Sequence, residues 1–274
     1  MAKIAITVDL ETDWGGRYPL ESSYCRGMQE GMDTFLNLVT PFQIKATCFV
    51  SAITVDRFAR EIASLSSAGH EVASHGYQHN LDYRTLSPEQ LLYQLERSKK
   101  VLEDCTGNRV IGFRTPQFVQ NPALPDLLSR AGYCYDSSIA ATTLPGRYSN
   151  QRSVAEPYLR GSILEIPVSR VPLLSLPFGL LWINLMGSSL YRFLRVIRNK
   201  ELSLEVFYLH PFDLVEKQWN REMKVHVNLF YLFRSKSAVS TFQELLEIWV
   251  QRGFEFTRLC EIYGDYKRTT GIAP

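Results

Sequence analysis

The chain has 274 residues, of which 45% are hydrophobic and 21% are charged, so it carries enough apolar material for a large buried core. That length is typical of one α/β barrel-like domain. The formal net charge is +2 and the sequence contains no Arg/Lys tract. Its composition therefore argues against a nucleic-acid-binding protein.

The five cysteines are scattered along the chain and form no Cys-x-x-Cys pair. Because cysteine is among the most buried residue types, this usage predicts free thiols in a reducing compartment. The first residues, MAKIAITVDLE, lack the long apolar stretch and the cleavage site of a signal peptide. We therefore expect a cytoplasmic protein, or one bound peripherally to the cytoplasmic face of a membrane.

In chain order, short β-rich runs alternate with longer segments of helical spacing. Strands are predicted at 3–8, 46–50, 71–74, 110–113, 133–135, 163–168, 204–209 and 254–257. Helices are predicted at 27–39, 55–68, 88–105, 122–131 and 237–251. This alternation argues for parallel βαβ units. We expect one domain over residues 1–274, because no repeat, linker or composition shift divides the pattern.

Chemically active side chains recur at the carboxyl ends of the predicted strands. In a parallel α/β barrel these ends form one rim, and active sites are built there. We therefore expect one shared site, formed by Asp9, Glu11, His75, Arg114, Asp136 and His210.

These residue types suit the hydrolysis of an amide. Two neutral imidazoles and a carboxylate are a common protein ligand set for a catalytic zinc-like ion, with one position left for water. The stretch SHGYQH places His75 and His79 four residues apart, although that spacing alone also fits two polar residues on a solvated turn. A second carboxylate could accept a proton from the water, and a further histidine could protonate the leaving amine.

Five short motifs carry a family resemblance. In order they are Asp9-Leu-Glu11, SHGYQH, Phe113-Arg114-Thr-Pro116, Tyr135-Asp136-Ser-Ser and Leu209-His210-Pro. Together they resemble the motifs of the NodB-homology polysaccharide deacetylases, carbohydrate esterase family 4. The resemblance implies a distorted (β/α) barrel, usually seven-stranded, that removes acetyl groups from N-acetylated sugars with one divalent metal. Zinc is the metal we expect, with cobalt, nickel and manganese as alternatives.

The same resemblance assigns a role to the base and to the metal ligands. Asp9 would be the general base, and Arg114 would orient it. His75 and His79 would bind the metal.

It also assigns the groups that act on the substrate. His210 would be the general acid, and Asp136 would tune it. The backbone N–H of Gln117, just after Arg-Thr-Pro, would donate to the oxyanion.

The first motif departs from the commonest family pattern, which has two adjacent Asp residues, the base and then a metal ligand. Leu10 follows Asp9 here and cannot bind a metal. A subgroup uses an acid two positions after the base, and Glu11 fits that variant because alternate residues of a strand share a face. Asp13 is the competing ligand, and loss of metal binding is a third reading. The subgroup includes peptidoglycan deacetylases and deformylases of lipid-linked aminosugars.

An apolar insert is expected at about 171–198. Residues 171–191 contain no charged side chain, and Arg192, Arg195 and Arg198 follow. The length is near that of a membrane span, but Pro and Gly interrupt it and it lies between two predicted barrel strands. Two readings remain: a buried barrel helix with its loop, or a rim segment that touches a membrane or a lipid-linked substrate.

The sequence thus predicts a metal-dependent N-deacetylase of an N-acylated amino sugar in a glycan or a polyprenyl-linked saccharide. One alternative is hydrolysis of a formamide or a cyclic amide. Another is a non-catalytic carbohydrate- or lipid-binding protein on the same barrel. Trp14 and Trp219 are candidates for stacking on a sugar or for ordinary packing.

Overall fold

The computed structural model describes residues 2–16, 20, 25–140, 142, 155–171, 173–174, 176–197, 203–216, 224–226, 228–229, 232 and 237–271. Its strands follow the predicted runs closely. They are β1 Lys3–Leu10, β2 Thr47–Val50, β3 Glu71–Ser74, β4 Gly112–Phe113, β5 Tyr135–Asp136, β6 Tyr158–Arg160, β7 Ile163–Glu165, β8 Leu204–Leu209 and β9 Glu255–Thr257.

The strands form one curled sheet in the order β6-β7-β5-β4-β3-β2-β1-β8, and β9 pairs with the first residues of β1. The seven strands from β7 to β8 along this path are parallel, and β9 is also parallel to β1, so the described sheet has nine strands where the resemblance implied a seven-stranded barrel. β6 is antiparallel to β7. The carboxyl ends of the seven strands therefore lie on one rim.

Helices connect the parallel strands, as βαβ units require. They are α1 Met32–Val39, α2 Val55–Ser67, α3 Pro88–Thr106, α4 Leu124–Arg130, α5 Leu180–Met186, α6 Ser188–Ile197, α7 Ala238–Gln251 and α8 Leu259–Thr270. The start of α3 has the predicted capping box, in which the Ser87 hydroxyl accepts from the N–H of Gln90 and the Gln90 side chain accepts from the N–H of Ser87.

Strand β1 divides the interior into two apolar clusters. Ile4, Val8 and Leu10 belong to the larger cluster, which includes side chains of the surrounding helices. Ala5, between them, belongs to a smaller cluster with Phe49 and residues of other strands. This period of two is the strand pleat, so Asp9 lies on the Ala5 side and Leu10 on the helix side.

The structure differs from the sequence prediction in three places. The predicted strand 163–168 is shorter, Ile163–Glu165, and it forms a hairpin with the unpredicted strand β6 through a turn at Gly161, whose φ is +62°. The predicted helix 27–39 begins with a π-helical turn, Gly27–Gly31, before α1. Helix α8 was not predicted, and it adds Leu259 and Ile262 to the smaller apolar cluster.

One part of the apolar insert packs beside β8, and the other part is exposed on a helix. Ser169 N–H donates to Val206 O at 3.0 Å and Tyr208 N–H donates to Phe178 O at 3.1 Å, which ties the segment after β7 to β8. Phe178 and Tyr191 are fully buried. Among the described residues, no helix combines the length and the apolar character needed to cross a membrane.

Phe178 tests the buried part of the insert. Its ring lies 5.1 Å from that of Phe207 and 5.6 Å from that of Tyr191. Phe178→Ala should lower the free energy of unfolding by about 3–5 kcal/mol, because it removes a buried ring and leaves a cavity. Phe193→Ala, at a position 59% exposed on α6, is the matched control and should change it by less than about 0.5 kcal/mol. Urea unfolding measures both, and equal losses would contradict the packing.

Candidate active site

A buried ion pair joins the ends of β1 and β4. The guanidinium of Arg114 donates to Asp9 Oδ1 at 2.7 Å and to Thr7 Oγ1 at 2.9 Å. It also donates to the backbone oxygen and the hydroxyl of Ser137, and it lies 4.1 Å from the centre of the Phe49 ring. Arg114 is 0% exposed and Asp9 is 1% exposed. With these four hydrogen bonds, the guanidinium holds the Asp9 carboxylate in one orientation.

Glu11, two residues after Asp9 in the chain, forms a cluster with His75 and His79. Their ligand atoms lie within 4.8 Å of one another, and all three side chains are buried. Glu11 Oε2 is 2.5 Å from His79 Nε2 and 3.5 Å from His75 Nε2. Two imidazoles and a carboxylate are a typical donor set for a catalytic zinc-like ion.

The environment of Glu11 fits a bound cation. Its Oε2 is buried and accepts no well-directed hydrogen bond from the residues that the structure describes, although two imidazole nitrogens face it. Burial raises the pKa of the Glu11 carboxyl, but attraction to His79, His75 and His210 outweighs it and holds that pKa well below its ordinary value. Glu11 is therefore present as a carboxylate, which is the form that binds a metal.

Asp13, the competing ligand, has a different environment. Its carboxylate accepts the backbone N–H of Arg26 at 2.9 Å and that of Gly27 at 2.8 Å. It thus bonds to the start of the π-helical turn, whereas Glu11 is the acid grouped with the two histidines.

His210 follows β8 and completes the rim. Its Nε2 is 3.6 Å from Glu11 Oε1, so the imidazole borders the candidate metal cluster. Its Nδ1 is 3.5 Å from Oδ2 of Asp213, a buried residue on the 3₁₀ turn Pro211–Leu214. The Asp213 carboxylate also accepts the backbone N–H of His210 at 3.2 Å.

Asp136, which the resemblance assigns to tune His210, contacts Ser138 and the β6–β7 hairpin. Its carboxylate accepts a hydrogen bond from the hydroxyl of Ser138, and its Oδ2 is 3.7 Å from Arg160 Nη1. Arg160 in turn donates to Glu165 at 3.1 Å. Asp213 is thus the carboxylate near His210 Nδ1, as Glu11 is near Nε2. The sequence signal was the acid three residues after His210, at the spacing of one tight helical turn.

Asp136 and Glu165 form a buried acid pair. Burial raises the pKa of Asp136, although Ser138 and Arg160 oppose the rise. Burial also raises the pKa of Glu165 well above its ordinary value, and the neighbouring Asp136 adds to the rise. Two buried carboxyls with one guanidinium retain a proton more readily than isolated carboxyls. Ser138 links the pair to the Arg114 loop, because its hydroxyl accepts the N–H of Thr115 at 2.8 Å.

Gln117 lies in a strained turn after Arg114. Its φ is 58°, and that of Phe118 is 56°, so two successive residues with side chains are left-handed. Each such residue costs about 1–3 kcal/mol, and strain of this kind is concentrated at functional sites. The turn is held by Thr115, whose hydroxyl donates to Val119 O at 2.9 Å.

Trp14 is a packing residue. It is 6% exposed, and its ring lies 5.0 Å from that of Phe212, next to the His210 loop. Trp219, the other proposed stacking residue, lies outside the described residues.

Comparisons with known proteins agree with this geometry. A family model described as polysaccharide deacetylase matches residues 16–135. A peptidoglycan deacetylase of Helicobacter pylori is 27% identical over 140 residues, which cover 49% of this chain and 47% of that protein. A peptidoglycan deacetylase-like protein of Gibberella zeae is 33% identical over 96 residues, or 35% of this chain and 28% of that one. The chain thus spans less than half the length of these curated relatives.

The fold has a close structural counterpart. A crystal structure from Mycobacterium smegmatis, described as that of a polysaccharide deacetylase, superposes with a TM-score of 0.68 at 21% identity. The superposition covers 100% of this chain and 93% of the other. It confirms the predicted α/β distorted barrel. The matched domain, the deacetylase relatives and this fold all agree with the resemblance to the NodB-homology polysaccharide deacetylases, carbohydrate esterase family 4.

Proposed function

We propose that the chain is a metal-dependent N-deacetylase that acts on an N-acetylated amino sugar. The observation that carries the proposal is the rim arrangement itself. Asp9, paired with Arg114, lies two residues before Glu11 in the chain, and Glu11 clusters with the two histidines. His210 Nε2 is 3.6 Å from Glu11. A base, a metal-binding set and an acid are the parts that metal-assisted amide hydrolysis requires. The match of residues 16–135 to the polysaccharide deacetylase model supports this chemistry.

Glu11, His75 and His79 would hold the metal, with zinc as the ion of choice and cobalt, nickel or manganese as alternatives. When bound, a divalent ion lowers the pKa of water toward about 7 and polarises the amide carbonyl. Asp9 accepts the proton of the attacking water, and Arg114 orients Asp9 for that transfer.

His210 completes the reaction from the other side of the cluster. The scissile C–N bond breaks as His210 donates a proton to the nitrogen, and the products are an acetate and the free amine of the sugar. The Asp213 carboxylate accepts the backbone N–H of His210 and lies 3.5 Å from Nδ1, so it would position the imidazole. The backbone N–H of Gln117, in its strained turn, donates to the oxygen on which charge develops.

The substrate we propose is an amino sugar in a glycan or on a polyprenyl carrier, approached from the cytoplasmic face of a membrane. Support comes from the insert. Arg170 and Arg192 are exposed, whereas Arg195 is buried and paired with Glu205, and residues 166–200 contain no acidic side chain. Several apolar side chains of α5 and α6 are exposed, namely Leu185, Leu190, Phe193, Val196 and Ile197. Exposed apolar residues beside arginine are typical of helices that lie on anionic lipid.

Two alternatives have less support. The non-catalytic reading depended on Leu10, yet Leu10 lies in the apolar cluster under the helices, and Glu11 supplies the carboxylate beside the histidines. Hydrolysis of a formamide would use the same groups, so formylated and acetylated sugars should be assayed side by side.

Asp9→Asn tests the proposed base. The variant should lower kcat by a factor of about 10² to 10⁴, because it removes the proton acceptor. Its metal content should stay near that of the unchanged protein, because Asp9 is outside the metal-binding set. Amine release from N-acetylhexosamine oligomers with added Zn²⁺ measures turnover, and Asp33→Asn on α1 is the control. Normal turnover of Asp9→Asn would remove Asp9 from its role, and a metal-loaded parent inactive on every N-acyl sugar would refute the function.

Asp213→Asn tests the proposed partner of His210. It should lower kcat by about 10- to 100-fold, a share of the factor that a general acid contributes. Asp136→Asn should affect kcat less, because Asp136 bonds to Ser138 and lies near Arg160. The reverse order of the two kcat values would restore Asp136 to the role that the resemblance implied.

Phe193→Asp tests the proposed membrane contact. Sedimentation with vesicles that contain phosphatidylglycerol should show about tenfold weaker binding, because a buried Phe side chain contributes about 1.5–3 kcal/mol. Tyr93→Asp, at a 57% exposed position on α3, is the matched control and should bind as the parent does. If the parent does not sediment with the vesicles, the membrane contact is wrong.

A further inference from the structure

A left-handed turn follows Glu11 directly. Trp14, Gly15 and Gly16 have φ values of 63°, 74° and 65°. The N–H of Gly16 closes the turn by donating to Thr12 O at 2.9 Å. A run of three left-handed residues, one of which carries a large side chain, is costly and persists only where its surroundings require it.

Gly16 lies against one face of the His79 ring. A methyl group added at Gly16 would lie 2.2 Å from both Cγ and Nδ1 of His79 and 2.6 Å from its Cβ. These distances are far below ordinary contact, so only glycine lets the backbone approach this closely.

The two histidines of the cluster are oriented by different means. His75 Nδ1 is 2.9 Å from the backbone oxygen of Arg114, a hydrogen bond of the kind that fixes a metal-binding imidazole. His79 Nδ1 is buried, and it has no hydrogen-bond partner within the described part of the chain. Packing must therefore set the angle of the His79 ring, and Gly16 supplies the contact.

The turn is anchored by its first two residues, Asp13 and Trp14. The Asp13 carboxylate accepts two backbone N–H groups, from Arg26 and Gly27. The Trp14 ring packs on Phe212, two residues after His210. Asp13 is 1% exposed and Trp14 is 6% exposed, so the turn cannot retreat from the His79 ring without breaking buried contacts.

We propose that the turn Asp13–Gly16 is the element that orients His79 for metal binding. Gly16 is its positioning residue, and Asp13 is its anchor. The inference rests on the proposed metal site, and it adds a residue that touches neither metal nor substrate. It also gives a role to Asp13, the second acid after Asp9. Asp13 holds the turn that packs against His79, whose Nε2 lies 2.5 Å from Glu11 Oε2.

Gly16→Ala is the direct test, with metal affinity and a metal spectrum as readouts. Zn²⁺ affinity, measured by competition with a chromophoric chelator, should fall about 10- to 100-fold, as it does when an outer-shell partner of a ligand is lost. The ligand-field absorption of the Co²⁺-loaded protein should change in position or intensity, because the geometry around His79 is altered. Glu11→Ala supplies the reference for loss of a ligand and should weaken Zn²⁺ binding further.

Gly107→Ala is the matched control. Gly107 has a φ of +67°, and no atom lies within 4 Å of an added methyl group. It therefore introduces the same backbone strain without a contact, and the Zn²⁺ affinity and Co²⁺ spectrum should match those of the parent. Equal effects of the two alanines would overturn the inference, as would an unchanged affinity and spectrum in Gly16→Ala.

Trp14→Gly provides a second variant if Gly16→Ala does not fold. Glycine adopts the left-handed conformation without cost, while the ring that anchors the turn on Phe212 is lost. It should also weaken Zn²⁺ binding and change the Co²⁺ spectrum, and parental values would overturn the inference. A parent that binds neither metal would instead refute the proposed metal site.

Discussion

The buried guanidinium of Arg114 is the interaction on which the candidate active site depends. The guanidinium donates to Thr7 and Asp9 on β1 and to Ser137 after β5. The backbone oxygen of Arg114 forms a hydrogen bond with His75 Nδ1. Removal of one partner from a buried ion pair costs about 3–5 kcal/mol, because the other charge is left unpaired. Arg114 therefore contacts the proposed base through its side chain and one proposed metal ligand through its backbone oxygen. The positions of these two residues are coupled through Arg114.

The pleat of β1 explains how an acid two positions after Asp9 can serve in place of an adjacent one. Leu10 contributes to the apolar cluster beneath the helices, so its side chain is committed to stability. Asp9 and Glu11 fall on the other side of the strand, where Asp9 bonds to Arg114 and Glu11 faces the imidazoles. Both acids are buried, and a buried carboxylate is costly unless a cation pairs with it. Each acid therefore needs a cationic partner.

Much of this arrangement could be predicted because it depends on local patterns. Apolar alternation located the strands, and the parallel order followed from the helices between them. The position of His75 at the end of β3 and of Arg114 after β4 was enough to place both on one rim. The family's motifs then supplied roles that no periodicity contains.

What could not be predicted depends on contacts between distant segments. Asp136 was placed on the correct rim, but strand order alone does not reveal its neighbours. The unpredicted hairpin of β6 and β7 brings Arg160 to within 3.7 Å of Asp136 Oδ2, and Arg160 also pairs with Glu165. His210 receives an acid from its own 3₁₀ turn instead.

The same reasoning applies to the glycine turn after Glu11. In the sequence, Trp-Gly-Gly reads as an ordinary loop, since glycine permits many conformations. Its left-handed form is meaningful only once Gly16 is seen against His79, 63 positions away in the chain and without another orienting bond at Nδ1 among the described residues. Strain that a local segment would not adopt alone is stabilised by the buried anchors at Asp13 and Trp14. The strain of the turn and the orientation of the His79 ring thus both depend on the contact between Gly16 and His79. This contact joins distant parts of the chain, so it forms only in the folded protein.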